Sequence, residues 1–462
     1  MPQLPLYDSE GARDASLTVE RQLRNVFVDK LAEGDEWVVK RPGLTRDIQP
    51  AGAAGVSRGS YYWDGNLYTV IGGTVYKGTT SLGTITGTTG KVYWALMDTD
   101  PRVLVVQTGG TCWTIQDDDT LTEITDADYP TGVVGSVVYM NGYIYVINSK
   151  GEIYNSDNGD ETAWTSGNFL TAEAVSDDGV SIIRYKDYIV AFGEYSTQFF
   201  YDAANSSGSP LNKYTGAVSL IGCAEAATIT VADDTVCFVG QMITGGRFIA
   251  KIEGMEPKQA SPYYINRLLD AEGSALSSSS GYHIRIGGHS FYIVNLTSQE
   301  ISIVYDMDSK QWSVWTLYDG SSEEYFKFVE SVADDADDVF LLHESDGYYY
   351  KMSESVYQDN SQDIKVSGTT ALYAGESLAN KFMSRLEIIG DRTSSSATLN
   401  LSWTDDDYNT FSTARGIDLS GRNPLTRLGR FTRRGFRYTF EENAPMRLKA
   451  LDLAISGGSY GQ

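Results

Sequence analysis

Short runs in which apolar and polar residues alternate recur along most of the chain, separated by turns rich in glycine, aspartate and asparagine. The stretch YYWDGNLYTVIGGTVYKG, from Tyr61, divides into three strands with turns at 64–66 and at Gly72 and Gly73. The same order recurs in SVVYMNGYIYVINSKGEIYNSD, where Asn141 and Gly142 supply the first turn. Asn-Gly between alternating runs is a strong hairpin signal because both central positions require positive φ. The pattern therefore predicts consecutive antiparallel hairpins.

These hairpin units repeat with a longer period. Their first core strands are predicted near Tyr61, Tyr93, Val137, Ile182, Ile229, His283 and Phe326. After the first pair, successive starts are 43 to 54 residues apart, close to the length of one four-stranded propeller blade. A lone meander cannot bury both faces, whereas blades stacked around an axis can. The sequence predicts an all-β fold with a β-propeller of six or seven blades, a number that includes incomplete ones. The alternative, one or two sandwiches, would lack the long period.

Three regions frame the predicted propeller. Residues 1–55 are predicted to form an N-terminal arm that ends in a first strand, and residues 56–356 the propeller itself. Two loop insertions are expected near 204–224 and 258–281, where the sequence is polar and rich in small residues. After about residue 356 the period ends, and alternating segments such as FMSRLEIIGD and GFRYTFEEN predict a C-terminal β-sandwich-like module over 357–462.

Composition agrees with many short strands and tight turns. The chain has 46 glycines against 11 prolines, and 31 tyrosines, a residue that suits half-buried sheet surfaces. No run of eighteen apolar residues occurs, so no membrane-spanning segment is predicted. Three cysteines cannot build a disulfide framework.

Charge is distributed unevenly. The formal net charge is −25, which argues against a protein that coats nucleic acid, because neutralising phosphates requires a cationic surface. Residues 381–449 hold twelve Lys/Arg and eight Asp/Glu, a local charge of +4, so the rest of the chain carries −29. The C-terminal module is therefore expected to face a different neighbour from the propeller.

Residues typical of catalysis or metal binding are sparse. The chain has three histidines, His283, His289 and His343, and no His pair or Cys/His cluster with metal-ligand spacing. Nucleophile-elbow and phosphate-loop motifs are absent from the sequence. Acidic clusters coincide with predicted turns, where Asp caps its own backbone. No catalytic residue, cofactor or metal site is therefore predicted.

An aromatic cluster formed by Trp312, Trp315 and Tyr318 could stack against a sugar. Packing between neighbouring blades explains these side chains with fewer assumptions.

Positive charge is densest in RLGRFTRRGFRYTF, residues 427–440. We expect one of three roles for its arginines: a subunit or adaptor interface with an acidic partner, a strip facing phosphates, or a solvated face whose stems cover the sheet. If the segment is one strand, Arg433 and Phe431 share one face, and Arg430 and Arg434 the other. The arginines of this segment are Arg427, Arg430, Arg433, Arg434 and Arg437.

The chain resembles the tail hub, or nozzle, proteins of short-tailed bacteriophages, also described as packaged-DNA stabilisation proteins. The resemblance is carried by KRPGL at 40–44, by GVSRGSYYWDGNLYTVIGGTVYKG at 55–78, and by the late arginine-rich strand. In that family an arm ending in Pro-Gly precedes a Gly-x-x-Arg-Gly meander, a propeller and a terminal β module. The matching positions are Pro42, Gly43, Gly55, Arg58, Gly59, Gly72, Gly73, Tyr76 and Gly429.

The resemblance implies a structural protein of the virion, without enzymatic activity. It would form a ring, typically a hexamer, below the portal-adaptor protein, in the phage tail and assembled in the host cytoplasm. The ring would form the channel for DNA ejection, help to retain the packaged genome, and dock tailspikes or tail fibres and a tail needle or plug. Genomic DNA would pass through without tight binding, because the acidic surface repels a polyanion.

Two other functions remain open from the sequence. One is a carbohydrate-binding or glycoside-hydrolysing propeller that acts in host receptor recognition. The other is a cytosolic propeller that serves as a scaffold for other proteins.

Overall fold

The computed structural model describes residues 3–6, 23–31, 34–172, 175–375 and 379–457. The chain begins with four short strands, and the later sheets incorporate all of them. These strands are β1 (Gln3–Pro5), β2 (Val26–Lys30), β3 (Glu36–Lys40) and β4 (Gly43–Arg46).

Seven antiparallel sheets follow one another from residue 57 to residue 353 of the described chain. Blade 1 contains β5 (Ser57–Trp63), β6 (Asn66–Ile71), β7 (Thr74–Lys77) and β8 (Thr80–Thr84). Blade 2 contains β9 (Tyr93–Met97), β10 (Val103–Thr108), β11 (Thr111–Gln116) and β12 (Leu121–Glu123). Blade 3 contains β13 (Val133–Met140), β14 (Tyr143–Asn148), β15 (Glu152–Asp157) and β16 (Asp160–Thr171). Blade 4 contains β17 (Gly179–Tyr185), β18 (Tyr188–Gly193), β19 (Thr197–Asp202) and β20 (Leu211–Ser219).

The remaining blades are less regular. Blade 5 contains β21 (Gly222–Cys223), β22 (Thr230–Ala232), β23 (Thr235–Gln241), β24 (Arg247–Glu253) and β25 (Glu256–Gln259). Blade 6 contains β26 (Gly281–Ile286), β27 (His289–Leu296), β28 (Ile301–Asp306), β29 (Gln311–Tyr318) and β30 (Glu323–Tyr325). Blade 7 contains β31 (Phe328–Ala333), β32 (Val339–His343) and β33 (Tyr349–Ser353). One α-helix, α1 (Tyr263–Glu272), and two 3₁₀ turns, Ala226–Thr228 and Gly273–Ser278, lie within blade 5 or between blades 5 and 6.

The sheets form a closed ring, so the prediction of an all-β propeller is confirmed. Inner strands of neighbouring blades contact one another, as β9 with β13 and β13 with β17, and β31 of the last blade contacts β5 of the first. The outer strand of blade 7 is β4, which pairs with β33 and so ties the start of the chain to its seventh blade. The apolar core lies between blades, as where Val70 and Val75 of blade 1 pack with Leu104 and Val106 of blade 2.

The predicted hairpin turns have the expected backbone. Asn141 and Gly142 have φ of 51° and 90°, the two positive values that a tight turn between β13 and β14 requires. Strands central to the core are buried on both faces, and all eight residues of β27 are buried. These strands therefore appear in the sequence as apolar runs rather than as alternation.

The two predicted loop insertions were partly wrong. Within 204–224, β20 pairs with β19 as the outermost strand of blade 4. Its polar sequence reflects an edge strand with one face exposed and the other mostly half-buried. Within 258–281, α1 packs Ile265, Leu268 and Leu269 into the core of blades 5 and 6. This i, i+3, i+4 spacing is a helical signal that the surrounding serines and glycines obscured.

The rest of the chain forms strands after the propeller. They are β34 (Gln358–Asp359), β35 (Gln362–Asp363), β36 (Val366–Thr369), β37 (Lys381–Gly390), β38 (Thr398–Thr404), β39 (Arg415–Asp418), β40 (Leu425–Thr426), β41 (Arg430–Phe431), β42 (Gly435–Phe440) and β43 (Arg447–Gly457). The hairpin β34–β35 extends blade 7 beyond β4.

Two sheets enclose a separate core in this terminal module. The larger has the order β2-β3-β43-β37-β40, with β1 on β43 and β41 on β37, and the smaller has the order β36-β42-β38-β39. Leu399 and Phe440 of the small sheet share this core with Leu386 and Val28 of the large one. The segment predicted as an N-terminal arm thus contributes β1, β2 and β3 to the large sheet, because β43 pairs with β1 and β3.

Gly43 begins the strand that closes the ring, and its backbone lies against that of β34. A Cβ atom at this position would stand 2.4 Å from the carbonyl oxygen of Gln358, too close for any side chain. Replacing Gly43 by alanine is therefore expected to destabilise the chain by about 1–3 kcal/mol, measured as a lower midpoint of urea unfolding. The matched control is Gly167→Ala, where a Cβ would meet nothing within 4 Å. Equal midpoints for the two variants would contradict the tight closure.

Candidate functional site

The KRPGL motif, residues 40–44, lies at the junction between the propeller and the terminal module. Lys40, 5% exposed, donates from Nζ to the carbonyl oxygens of Tyr357 and Glu442, both at 2.8 Å. Burial, assisted by the neighbouring Arg41, lowers the pKa of Lys40 to about 8. The side chain of this lysine therefore connects the end of blade 7 to the loop that precedes β43.

Arg41 is fully buried at the same junction. Its Nη1 and Nη2 bind Asp359 in a bidentate pair, with N–O distances of 2.9 and 2.5 Å. Nε donates to Oδ1 of Asn25 at 3.0 Å, and Nη2 donates to the carbonyl of Thr316 at 2.9 Å. The guanidinium also lies 4.9 Å from the ring centroid of Phe326. One side chain thus joins the segment before β2, blade 6 and β34.

A second group of junction contacts surrounds His289 of β27. Its Nδ1 lies 2.8 Å from Asp306, and its ring packs edge-on against Phe27 of β2. Burial disfavours the charged imidazole, but the hydrogen bond that His289 donates to Asp306 and the charges of Asp306 and Asp29 outweigh it and raise the pKa of His289.

Within the described residues, His289, Asp306 and Asp308 bring ligand-type atoms within 4.8 Å of one another. Both oxygens of Asp306 already accept hydrogen bonds, from the backbone of Asp308 and from the backbone and hydroxyl of Ser309. One oxygen of Asp308 accepts from the backbone of Ser290. The carboxylates therefore cap a turn, and the geometry gives no argument for a metal ion.

Ser290 and His283 form a pair of catalytic residue types in blade 6. The hydroxyl lies 2.7 Å from Nε2 of His283, and Asp233 faces the same nitrogen at 4.0 Å. A Ser-His-Asp relay requires the carboxylate on Nδ1, the opposite nitrogen. Ser290 is also only 2% exposed, so a substrate could not reach its hydroxyl.

Arg58, the arginine of the family-like meander, is 2% exposed and directed at backbone. Nε donates to the carbonyl of Gly90 at 2.8 Å, and Nη1 donates to those of Gly87 and Gly72 at 2.9 and 3.2 Å. Nη2 donates to the hydroxyl of Thr108. Arg58 therefore connects the turn of blade 1, the linker 86–90 and blade 2.

The other family-like positions surround this arginine or mark turns. Gly59 lies in β5 with φ 153°, and a Cβ there would stand 2.9 Å from Val92, so the close approach of the two blades requires glycine. Pro42 precedes β4, Gly43 is its first residue, and Gly55 precedes β5. Gly72 and Gly73 form the turn after β6, and Tyr76 is half-buried on β7. Gly429 has φ 75° and lies between β40 and β41.

The predicted arginine segment is not one strand. It forms β41, a break at 432–434, and β42, so the predicted alternation of faces was wrong. Arg434 is 1% exposed and makes a bidentate pair with Asp405, with both N–O distances at 2.7 Å. Arg433 pairs with Asp407 at the surface. Arg437 is exposed beside the ring of Phe411, and its pKa is lowered by burial of part of its side chain.

Arg427 and Arg430 are exposed, and neither has an ion-pair partner among the described residues. The five predicted interface arginines therefore divide into one structural arginine, Arg434, and four at the surface.

The two tryptophans of the aromatic cluster pack between blades, as the simpler interpretation predicts. Trp312 and Trp315 are buried in the cores of blades 5 to 7. Tyr318 lies beneath the ammonium of Lys365, 4.4 Å from its ring centroid.

The axis of the propeller is bridged by one side chain that sequence reasoning missed. Lys91, on the linker before β9, places Nζ 3.4 Å from Glu330 of blade 7. It also lies 3.5 and 3.4 Å from the carbonyls of Ala227 and Gly281, at blades 5 and 6. Inner strands from across the ring line the cavity around it, which measures about 420 Å³. Nothing local in the sequence marks Lys91, because its partners are distant along the chain.

A family model described as Bacteriophage P22 Gp10, beta-propeller, matches residues 23–336. The chain belongs to the P22 Gp10 propeller family. The resemblance to the tail hub proteins of short-tailed phages is therefore confirmed, and the family indicates a structural, non-enzymatic protein of the phage tail.

Solved structures that resemble this P22 Gp10 family member do so at low identity. The extracellular domain of BT4673, a two-component system protein of B. thetaiotaomicron, has a TM-score of 0.46 and 12% identity over 76% of this chain and 43% of that chain. This chain thus spans less than half the length of that one. The WD40 propeller of Doa1 has a TM-score of 0.39 and 10% identity, over 68% and 97% of the two chains. YCF48 bound to D1 peptide has a TM-score of 0.41 and 10% identity, over 68% and 97%.

No curated protein sequence matches the chain significantly. In the described part of this P22 Gp10 family member, every helix is too short or too polar to cross a bilayer.

Proposed function

We propose that this chain is the subunit of the tail hub, or nozzle, of a short-tailed phage, a ring below the portal-adaptor protein. The match of residues 23–336 to the P22 Gp10 propeller family carries the proposal. In this role the ring, typically a hexamer, forms the channel for DNA ejection and helps to retain the packaged genome. It also docks tailspikes or fibres and a tail needle or plug, after assembly in the host cytoplasm.

Lys91 crosses the axis of the propeller, which favours a DNA channel formed between several copies of the chain. Duplex DNA cannot pass through a bore whose opposite walls are joined by Lys91, Glu330 and two backbone carbonyls. A conduit for the genome must therefore lie outside the single propeller. Several copies arranged around a cyclic axis provide such a conduit.

The charge of the chain supports passage without tight binding. A net charge of −25 repels a polyanion, so few counterions are released and the duplex is not held. The basic arginines of the terminal module would then face protein, as an adaptor or subunit interface.

The test is the position of the chain in the particle. Phage particles that carry the chain with a C-terminal peptide tag are decorated with a tag-specific Fab and imaged by electron microscopy, with untagged particles as the control. We expect label in a ring between the head and the tail tip. Label on the capsid shell, or only at the ends of the fibres, would contradict the proposal.

Replacing Lys91 by methionine is expected to destabilise the propeller by about 1–3 kcal/mol, because Glu330, whose side chain is 20% exposed, is left without its cation. Burial already raises the pKa of Glu330 above its ordinary value of 4.5, while Lys91 opposes that rise. A raised carboxyl pKa means that the folded state binds more protons, so the stability it provides is lost as pH increases. The deficit of the variant should therefore be largest at neutral pH and shrink toward pH 4.5. Urea unfolding at several pH values measures it, and a deficit that does not change with pH would contradict the pairing.

A further inference from the structure

The outer face of the large sheet in the terminal module presents an exposed aromatic ring among arginines. Phe382 of β37 is 49% exposed. It lies directly opposite Arg430 of β41 on one side and Ser456 of β43 on the other. We call this surface the Arg–Phe face and define it by Phe382, Arg385, Arg392, Arg422, Arg427 and Arg430.

Positive charge on this face exceeds the carboxylates that it contains. Arg385 and Arg422 both contact Glu387, and Arg392 lies 3.8 Å from the same carboxylate. Asp452 is the cross-strand neighbour of Glu387. With Arg427 and Arg430 included, five guanidiniums stand against two carboxylates. The face therefore carries a surplus of positive charge in a chain whose total is −25.

The residue types are those of a protein interface. Every cation named on the face is arginine, which is enriched at interfaces, whereas lysine is depleted. An exposed phenylalanine flanked by arginine is the composition of an interaction hot spot. Arg427 also has φ 58°, a left-handed conformation that costs a non-glycine residue about 1 kcal/mol or more, so the turn presenting it is strained.

We infer that the Arg–Phe face binds the acidic propeller of a second copy of this chain. Charge complementarity selects that occupant, because the propeller residues 56–356 carry a net charge of −24. A contact between a module and a different surface of the next copy is head-to-tail, the type that closes into a ring when the rotation permits. The inference rests on the proposed hub and assigns its subunit contact.

Sedimentation velocity of the full-length chain over a concentration series tests the inference. We expect wild-type self-association that weakens as NaCl rises from about 0.05 to about 0.5 M, because screening shortens the reach of the charges. Phe382→Ser and Arg430→Glu should each reduce the association constant about tenfold or more. Both residues are exposed, so circular dichroism spectra and melting temperatures should match the wild type.

The matched control lies in the terminal module but on the small sheet. Arg437 of β42 is exposed and stands opposite Thr369 and Ser402, outside the Arg–Phe face. Arg437→Glu should therefore associate like the wild type. Equal loss in the control and the test variants, a monomeric wild type under all conditions, or association insensitive to salt would each overturn the inference.

A DNA-binding measurement distinguishes a protein partner from a nucleic-acid partner. If duplex DNA binds the wild type and Arg430→Glu abolishes that binding, the face is a phosphate strip and the inference fails. The Fab-labelling experiment remains independent, because a tail position with no self-association through this face would overturn only the inference. Self-association through this face by a chain located elsewhere in the particle would overturn only the hub.

Discussion

Replacing Arg41 by methionine is expected to be among the most damaging single changes in this chain, with a loss of about 3–5 kcal/mol. The substitution keeps the length and apolar stem of the side chain but removes the only cation that contacts Asp359 within the described structure. Asp359 is 6% exposed and would remain buried as an uncompensated charge. Oδ1 of Asn25 and the carbonyl of Thr316 would each lose the hydrogen bond that Arg41 donates.

Because Arg41 joins the propeller to the terminal module, the effect should be seen at the junction first. Urea unfolding should shift to a lower midpoint and separate into two transitions, and limited proteolysis should cut sooner near residues 354–365. The control is Arg46→Met on the same strand region, since Arg46 is 44% exposed and pairs with Asp346 at 3.9 Å. Such an exposed pair is worth about 1 kcal/mol or less.

A double variant distinguishes a stranded charge from lost packing. Arg41→Met combined with Asp359→Leu replaces the whole ion pair by apolar groups, an exchange that is often neutral in proteins. We expect the double variant to recover most of the stability lost by Arg41→Met. A single variant within 1 kcal/mol of the wild type would contradict the role assigned to Arg41.

The architecture was accessible from sequence because propeller blades are local structures. Each blade is a meander of strands that are consecutive in sequence, so its turns and its alternation of apolar and polar residues appear within one short stretch of chain. The predicted first strands near Tyr61, Tyr93 and Val137 fall inside β5, β9 and β13, and the one near Phe326 begins two residues before β31. The contact between β31 and β5, which closes seven blades, was beyond a local reading.

The parts that were missed depend on partners far along the chain. Residues 1–55 are predicted as an arm because β1 and β3 pair with β43, more than 400 residues away, and β2 joins the sheet only through β3. The arginine segment is predicted as one strand with arginines on both faces, because no sequence rule places Asp405 against Arg434. Phe382 was not selected for the same reason, since its exposure depends on which face of β37 covers the core.

The motif positions that carried the family resemblance are largely structural in this chain. Lys40 and Arg41 connect the propeller to the terminal module through hydrogen bonds. Gly43 leaves room for the backbone of β34, and Arg58 donates to a linker between blades 1 and 2. A family motif therefore identifies the fold without locating the partner surfaces, which lie on exposed residues under weaker structural constraint.

Replacing Arg58 by methionine is expected to cost about 2–4 kcal/mol, because four backbone carbonyls lose a hydrogen bond from the buried guanidinium. No carboxylate neutralises Arg58 within the described residues, and burial lowers its pKa, so its stabilisation comes from hydrogen bonds to backbone. Hydrogen exchange should report the loss locally, with faster exchange in residues 72–92 than in blades 3 to 6.

Two further variants test whether hydrogen bonding, rather than charge alone, explains the loss of stability in Arg58→Met. Arg58→Lys should recover little, since one ammonium cannot reach the carbonyls of Gly72, Gly87 and Gly90 in the fork geometry of a guanidinium. Arg102→Met in the neighbouring blade should change stability by about 0.5 kcal/mol or less, because Arg102 is 41% exposed and lies 3.5 Å from an exposed Asp64. If Arg58→Lys matched the wild type, the positive charge alone would stabilise the linker, and the carbonyl-binding role of Arg58 would be wrong.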